Sequence, residues 1–202
     1  MESQRKAPIG RPRGFDADEA LERAMRVFWE QGYEGAGLAD LTKAMGITRT
    51  SVYAAFGNKD ELFRKALERY SEGPAAYGPR ALREPTARGV ATAFLNGSVR
   101  TTTRPGYPAG CLGVQGSLAA GAQGRDARDA LNAWRDEGLS GLRDRFRRAA
   151  DEGDLPADVD PAALARYVMT VANGIAVQAA GGATRDELQQ VADLALRSWP
   201  SD

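Results

Sequence analysis

The sequence predicts an all-α protein of about nine helices, an N-terminal three-helix unit followed by a larger helical domain. Three observations predict it. Apolar residues recur three and four apart along most of the 202 residues, which is the period of a helix buried on one side. Runs of β-branched residues are scarce, so strands have little to build on. Cap residues, glycines and prolines punctuate the apolar segments at helix-length intervals.

Composition removes several functions at once. The 27 basic and 27 acidic residues balance to zero net charge, so any nucleic-acid contact must use local charge. There is no histidine, which excludes imidazole general bases, Ser-His-Asp systems and imidazole metal sites. The single cysteine, Cys111, excludes an internal disulfide and a multi-cysteine zinc site within one chain. No cofactor or metal is expected, and an enzyme has no metal cluster, phosphate loop or histidine to work with. No stretch of ~18 apolar residues is present, so no membrane span is expected. The N-terminal MESQRKAPIG carries no apolar run of a secretory signal. The expected location is cytoplasmic.

Residues 1–15 form a basic arm. Arg5, Lys6, Arg11 and Arg13 stand against one acid, Glu2, a net +3. Gly10-Arg11-Pro12-Arg13-Gly14 resembles the Gly-Arg-Pro core of AT-hook peptides, and an extended arm of that kind lies in the minor groove, where Arg is favoured. A solvated basic tail is the alternative. Asp16, with Glu19 three residues on, opens the first helix. Leu21, Ala24, Met25, Phe28 and Trp29 give its apolar face, and Gly32 stops it.

Residues 37–56, GLADLTKAMGITRTSVYAAF, are the centre of the reading. Leu38, Leu41 and Met45 bury one face of a short helix. Gly46 lets the backbone leave that helix. Thr48 caps the next one, which buries Val52 and Phe56 and keeps Arg49, Thr50 and Ser51 outside. Helix, turn with glycine, helix is a helix-turn-helix, whose second helix reads DNA through its N-terminal residues. An ordinary αα-hairpin with a polar surface is the alternative. Asn58 and Glu61 then form a capping box for a fourth helix with apolar positions Leu62, Phe63, Ala66, Leu67 and Tyr70. Lys59 in its first turn opposes the helix dipole, a cost that a bound phosphate reverses.

This segment resembles the DNA-binding domain of the TetR/AcrR family of repressors. The resemblance rests on Phe28-x-x-x-Gly32-Tyr33, on the turn and helix running from Gly46-Ile47-Thr48 to Tyr53-x-x-Phe56, and on Lys59-Asp60-x-Leu62. It implies an all-α homodimer on a pseudo-palindromic double-stranded DNA operator, with a C-terminal ligand domain. It also implies that Thr48, Arg49, Thr50 and Ser51 approach bases and phosphates, while Tyr53 and Lys59 hold the DNA backbone. One departure stands out. Ala36 and Gly37 occupy positions where family members carry Thr or Ser before helix two; Gly37 is a weaker cap and offers phosphate no side chain.

The expected boundaries are an arm at 1–15, a DNA-binding domain at 16–58, a linking helix and hinge at 59–84, and a ligand-binding and dimerisation domain at 85–202. Helix five is expected from about Pro85 to Thr103, with Val90, Phe94, Leu95 and Val99 inward. CLGVQGSLAAG reads as an apolar helix in which Gly113 and Gly116 permit close packing or leave room for a ligand. A long charged helix spans about 126–151, with Arg143, Arg145, Arg147 and Arg148 read as a solvated face. Asp160-Pro161 and Thr184 with Glu187 open the last two helices. Both are apolar on more than one side, so Leu164, Val168, Val171, Ile175, Leu188, Val191 and Ala195 are candidates for an inter-subunit four-helix bundle. The family resemblance implies the same; consumption of both faces within one subunit is the alternative.

The resemblance also implies an effector pocket among the middle helices. Phe94, Tyr107, Cys111, Leu112, Gln115, Trp134, Met169 and Asn173 are the pieces available to line it, each equally readable as core. They are mostly apolar with a few hydrogen-bonding groups, so a small apolar or aromatic effector is expected. Pro108-Ala109-Gly110-Cys111-Leu112 resembles a segment of a family subgroup that includes sensors of electrophiles, oxidants or copper. With neither histidine nor a second cysteine, copper lacks its usual ligands here. Cys111 is therefore either a reactive thiol at a helix N-terminus or a packed one. The function expected is a one-component transcriptional regulator, a repressor released from its operator by a small molecule. Sensing through Cys111 is the alternative reading, with an architectural DNA-binding protein or an enzyme behind it.

Overall fold

The computed structural model describes residues 14–118 and 124–200. Among them it contains ten α-helices and no strand. They are α1 (Ala17–Gly35), α2 (Leu38–Met45), α3 (Arg49–Phe56), α4 (Lys59–Glu72), α5 (Tyr77–Ala81), α6 (Ala87–Thr102), α7 (Leu112–Leu118), α8 (Arg125–Asp151), α9 (Pro161–Ala180) and α10 (Arg185–Arg197). The helix beyond the nine expected is α5. It lies in the stretch read as a hinge, after a 3-10 turn over Pro74–Ala76.

Local chemistry sets most of the boundaries. Asn58 and Glu61 close a capping box in both directions, with each side chain 2.9 Å from the other residue's backbone N. Thr184 and Glu187 do the same at α10, and Asp160 accepts from Ala162 N at 2.9 Å beside Pro161. Asp16 caps α1 through Asp18 N and Glu19 N. Glu19 does not complete that box; its carboxylate pairs with Arg23. Gly46 leaves α2 at φ 69°. Gly32 corrects the expected end of α1: at φ 70° it kinks the helix, and one more turn runs to Gly35. Helix α6 starts at Ala87, capped by Thr86 through Gly89 N at 3.0 Å, two residues beyond Pro85.

Two apolar cores result. The first joins α1 to α4 with α7 and the start of α8. Phe28 and Trp29 are fully buried in it, as expected, edge-on to Phe63 and Tyr70 at 5.1 and 4.8 Å. The second joins α5, α6, the later part of α8, α9 and α10. Arg145 belongs with it and not with the solvated face. It is 6% exposed, and its Nη2 donates to the carbonyls of Glu84 and Pro85 at 2.9 Å, strapping α8 to the turn before α6. Arg143, Arg147 and Arg148 do lie at the surface, paired with Asp144 and Glu152.

Candidate DNA-reading head and effector cavity

The reading head is built from α2, the turn at Gly46-Ile47, and α3. Thr48 Oγ1 accepts from Ser51 N at 3.2 Å and lies 2.9 Å from Ser51 Oγ, so the cap fixes the first turn of α3. Val52 and Phe56 anchor the helix in the core, and Thr48, Arg49, Thr50 and Tyr53 are left exposed. Arg49 Nη2 donates to Tyr53 Oη at 3.2 Å, one turn along the same face. This is a polar, donor-rich helix end of the kind that enters a major groove. Gly37 caps α2 without a side-chain bond, as expected. Ala36 is fully buried in the joint between α1 and α2, so the core uses its methyl group.

Lys59 occupies the start of α4 with Nζ 4.4 Å from the centre of the Tyr33 ring. Burial there pulls its pKa below the ordinary lysine value, against the opposing fields of Asp60 and Glu34. Tyr33 in turn donates to Asp60 at 2.6 Å, which fixes the ring under the ammonium. Arg11 and Arg13 lie outside the described residues.

A cavity of about 350 Å³ opens among α4 to α9. Five of the eight expected residues line it: Phe94, Cys111, Trp134, Met169 and Asn173. Leu112 and Gln115 do not. Cys111 and Val114, three apart, face the cavity, so the next positions round α7 turn away. Leu112 is fully buried in the first core, and Gln115 packs beside Gly110 with its Oε1 buried and unpartnered. Tyr107 is also outside. It packs against Trp29, and the guanidiniums of Arg26 and Arg104 lie over its ring, 4.2 and 4.1 Å from the ring centre.

Cys111 Sγ receives a hydrogen bond from Tyr70 Oη at 3.2 Å. Burial pushes its pKa up; Tyr70 and the backbone N–H groups of Val114 and Gly113 oppose this without reversing it. The helix N-terminus therefore does not win over desolvation. Burial likewise pushes the Tyr77 phenol up. Both groups are neutral near pH 7.

Residues 20–66 match the model of the tetR family of bacterial regulatory proteins, and residues 90–195 match that of a tetracyclin repressor-like C-terminal domain. The chain belongs to the TetR family. It is a DNA-binding transcriptional regulator and not an enzyme. It is 31% identical over 197 residues to the transcriptional repressor ComR of Escherichia coli K12, covering 96% of this chain and 94% of that protein. It is 30% identical over 176 residues to the repressor AcnR of Corynebacterium efficiens, covering 87% and 88%. Among solved structures it is similar to the TetR family regulator CifR, seen as a cysteine mutant in complex with a 26-base-pair double-strand operator DNA. That match has a TM-score of 0.89 and 45% identity, and covers 94% of this chain and 100% of the other.

Several residues of the cavity and of the reading head are not among those the sequence singles out. Ser71, Tyr77 and Leu82 line the cavity from the stretch taken as a hinge, and Ser98 lines it from α6. The signal available for Ser71, Tyr77 and Leu82 was the apolar and hydroxyl content of 71–84. Lys43, the last-turn cation of α2, shares a shallow depression with Thr42, Thr48 and Arg49. The C-terminal hairpin also differs. Leu164, Val168, Ile175, Leu188 and Ala195 are buried within the subunit's own core, the alternative that the sequence left open for these residues. Val171 is half-buried against that core and Val191 is exposed. The outward stripe of α9 is Ala163, Tyr167, Thr170, Gly174 and Val177, beside Val191 and Leu194 of α10. No helix among the described residues is long and apolar enough to cross a membrane.

Proposed function

We propose that the chain is a cytoplasmic one-component repressor that holds a pseudo-palindromic operator as a homodimer and leaves it when a small, neutral, apolar or aromatic molecule fills the cavity. One observation carries this reading. Helix α4 bears Lys59 at its first residue and Ser71 in its last turn, and Ser71 lines the cavity while accepting from Trp134 Nε1 at 2.8 Å. Its 14 residues span ~21 Å at 1.5 Å per residue. A ligand that displaces Trp134 thus pulls on the helix that carries the phosphate-side lysine. Coupling of ~1–3 kcal/mol is the usual scale for such a link.

In this reading residues 16–58 are the reading domain, 59–84 the link, and 85–202 the ligand and dimerisation domain, with Arg11 and Arg13 of the arm reaching the minor groove. Thr48, Arg49, Thr50 and Ser51 read bases and nearby phosphates, and Tyr53 and Lys59 hold the backbone. The outward stripe of α9 and α10 joins the subunits. The operator complex of CifR supports the DNA assignment.

A duplex selected from a random library supplies the operator. Arg49→Ala should then lose sequence preference by ~1–3 kcal/mol, the scale of a bidentate Arg–guanine contact. Lys59→Ala should weaken all sequences alike and flatten the salt dependence. Equal losses on selected and random DNA in both variants would sink the role assignment. Removal of residues 1–13 should lower operator affinity in A·T-rich flanks; unchanged affinity returns the arm to a solvated tail. A second reading, electrophile or oxidant sensing through Cys111, is favoured by the place of that thiol in the cavity wall, and burial that keeps it protonated weighs against it.

A further inference from the structure

We propose that the cavity selects an uncharged ligand with one carbonyl or carboxamide group on an aromatic body, and that the side chain of Asn173 holds that group. The inference rests on the effector reading above and names the chemistry of its ligand. Met169, Ala172, Asn173 and Ala176 form one face of α9 that lines the cavity, so Asn173 is a polar position within an otherwise apolar strip.

The uncharged polar groups of the wall other than Asn173 are engaged. Ser71 accepts from Trp134 and donates to the Leu67 carbonyl at 2.8 Å. Ser98 faces the Tyr77 hydroxyl and donates to the Ala172 carbonyl at 3.4 Å. Cys111 accepts from Tyr70, and Arg135 donates to Asn132. The carboxamide of Asn173, half-buried, has no hydrogen bond to another described residue. A carboxamide offers two donors and an acceptor. A ligand carbonyl pairs with the donors, and a ligand amide uses both.

Charge argues for a neutral body. The charged groups of the wall, Arg135 and Glu137, have opposite signs; Arg135 is half-buried and Glu137 is exposed. An anionic ligand would have to compete with Asn132 for the Arg135 guanidinium, and a cationic one would find only the exposed Glu137, so a neutral ligand loses least on entering. The remaining wall, including Phe94, Trp134, Leu82 and Val114, is apolar and partly aromatic, and offset or edge contacts suit an aromatic ring. The volume is near the small end of ligand pockets.

Four probes of similar size separate the possibilities: ethylbenzene, acetophenone, benzamide and benzoate. Each is titrated calorimetrically into the full chain and into Asn173→Leu. Acetophenone and benzamide should bind the parent about ten-fold tighter than ethylbenzene, the worth of one hydrogen bond that replaces an unpaired group. In Asn173→Leu that preference should vanish while ethylbenzene binding persists, which a misfolded variant would not do. Equal binding of ethylbenzene and acetophenone to the parent, a preference that survives in Asn173→Leu, tightest binding by benzoate, or binding by none of the four overturns the ligand class. The effector reading is judged separately, on Gly138→Phe, which fills the cavity from α8. If its operator affinity equals the parent's while its helix content is intact, the cavity is not coupled to DNA, whatever the probes do.

Discussion

Replacing Gly138 with alanine should stabilise the protein. Gly138 lies within α8, four residues after Trp134 and on the cavity side of the helix. A glycine in a helix interior costs ~0.5–1 kcal/mol relative to alanine. A methyl group built there first meets Met169 Cε at 3.5 Å, an ordinary contact. Nothing opposes the gain, so melting should rise by ~1–4 °C at ~2–4 °C per kcal/mol for a chain of this size. Gly97→Ala on α6 should do the opposite. Its added methyl falls 2.6 Å from Tyr77 Cγ and 2.8 Å from Tyr77 Cβ, close to that residue's backbone, where little can give. Overpacking of that kind costs ~1–3 kcal/mol and exceeds the helix gain. Urea unfolding and calorimetric melts at one matched protein concentration measure both. A Gly138→Ala variant less stable than the parent, or one no more stable than Gly97→Ala, would refute the idea that open volume, and not packing, explains the glycine in α8.

Three further outcomes follow from named contacts. Val177→Arg with Leu194→Arg should yield monomers of unchanged helix content, because both side chains are about half exposed and touch the proposed partner face; sedimentation that still finds dimers removes that face from the interface. Cys111→Ser should bind and release operator like the parent, and the native thiol should react slowly with a small alkylating agent near pH 7, since burial holds it protonated; rapid alkylation that frees DNA would establish the sensor reading instead. Burial pushes the Glu22 carboxyl up, but hydrogen bonds from Arg69 and Arg26 outweigh this and leave its pKa below the ordinary value. Its contribution to stability is therefore present above the unfolded pKa and lost as pH falls through the lower folded one. The stability gap between parent and Glu22→Gln should close over that acid window, and a gap constant with pH would contradict it.

What the sequence revealed was governed by distance along the chain. The boxes at Asn58–Glu61 and Thr184–Glu187 join residues three apart, so both partners are visible in one line of text. The reading head is likewise local: cap, turn glycine and two anchors fall within eleven residues. The cavity is not local. Its wall draws Ser71, Phe94, Trp134 and Asn173 from four helices and Cys111 from the residue before a fifth, and no period within one helix reports which face meets a void. Arg145 was legible and misread. It lies three residues after Leu142 and beside Phe146, on the buried face of α8, but its neighbours Arg143 and Arg147 made it look like part of a surface run.

The C-terminal hairpin shows the limit most clearly. Period alone says that α9 has two apolar faces, not which of them turns inward. The bulky aliphatic set, Leu164, Val168 and Ile175, went into the subunit's own core, where branched side chains fill space against α6 and α10. The set left outside contains alanine, threonine and glycine with only Tyr167 and Val177 as large members. Such a stripe leaves room for another helix to approach closely, and Gly174 has nothing within 4 Å of where its methyl would stand. Burial of Tyr167, Val177, Val191 and Leu194 against a second copy would remove from water the largest exposed apolar side chains of the hairpin, and this is the argument for the outward stripe, and not the inward one, as the proposed surface between subunits.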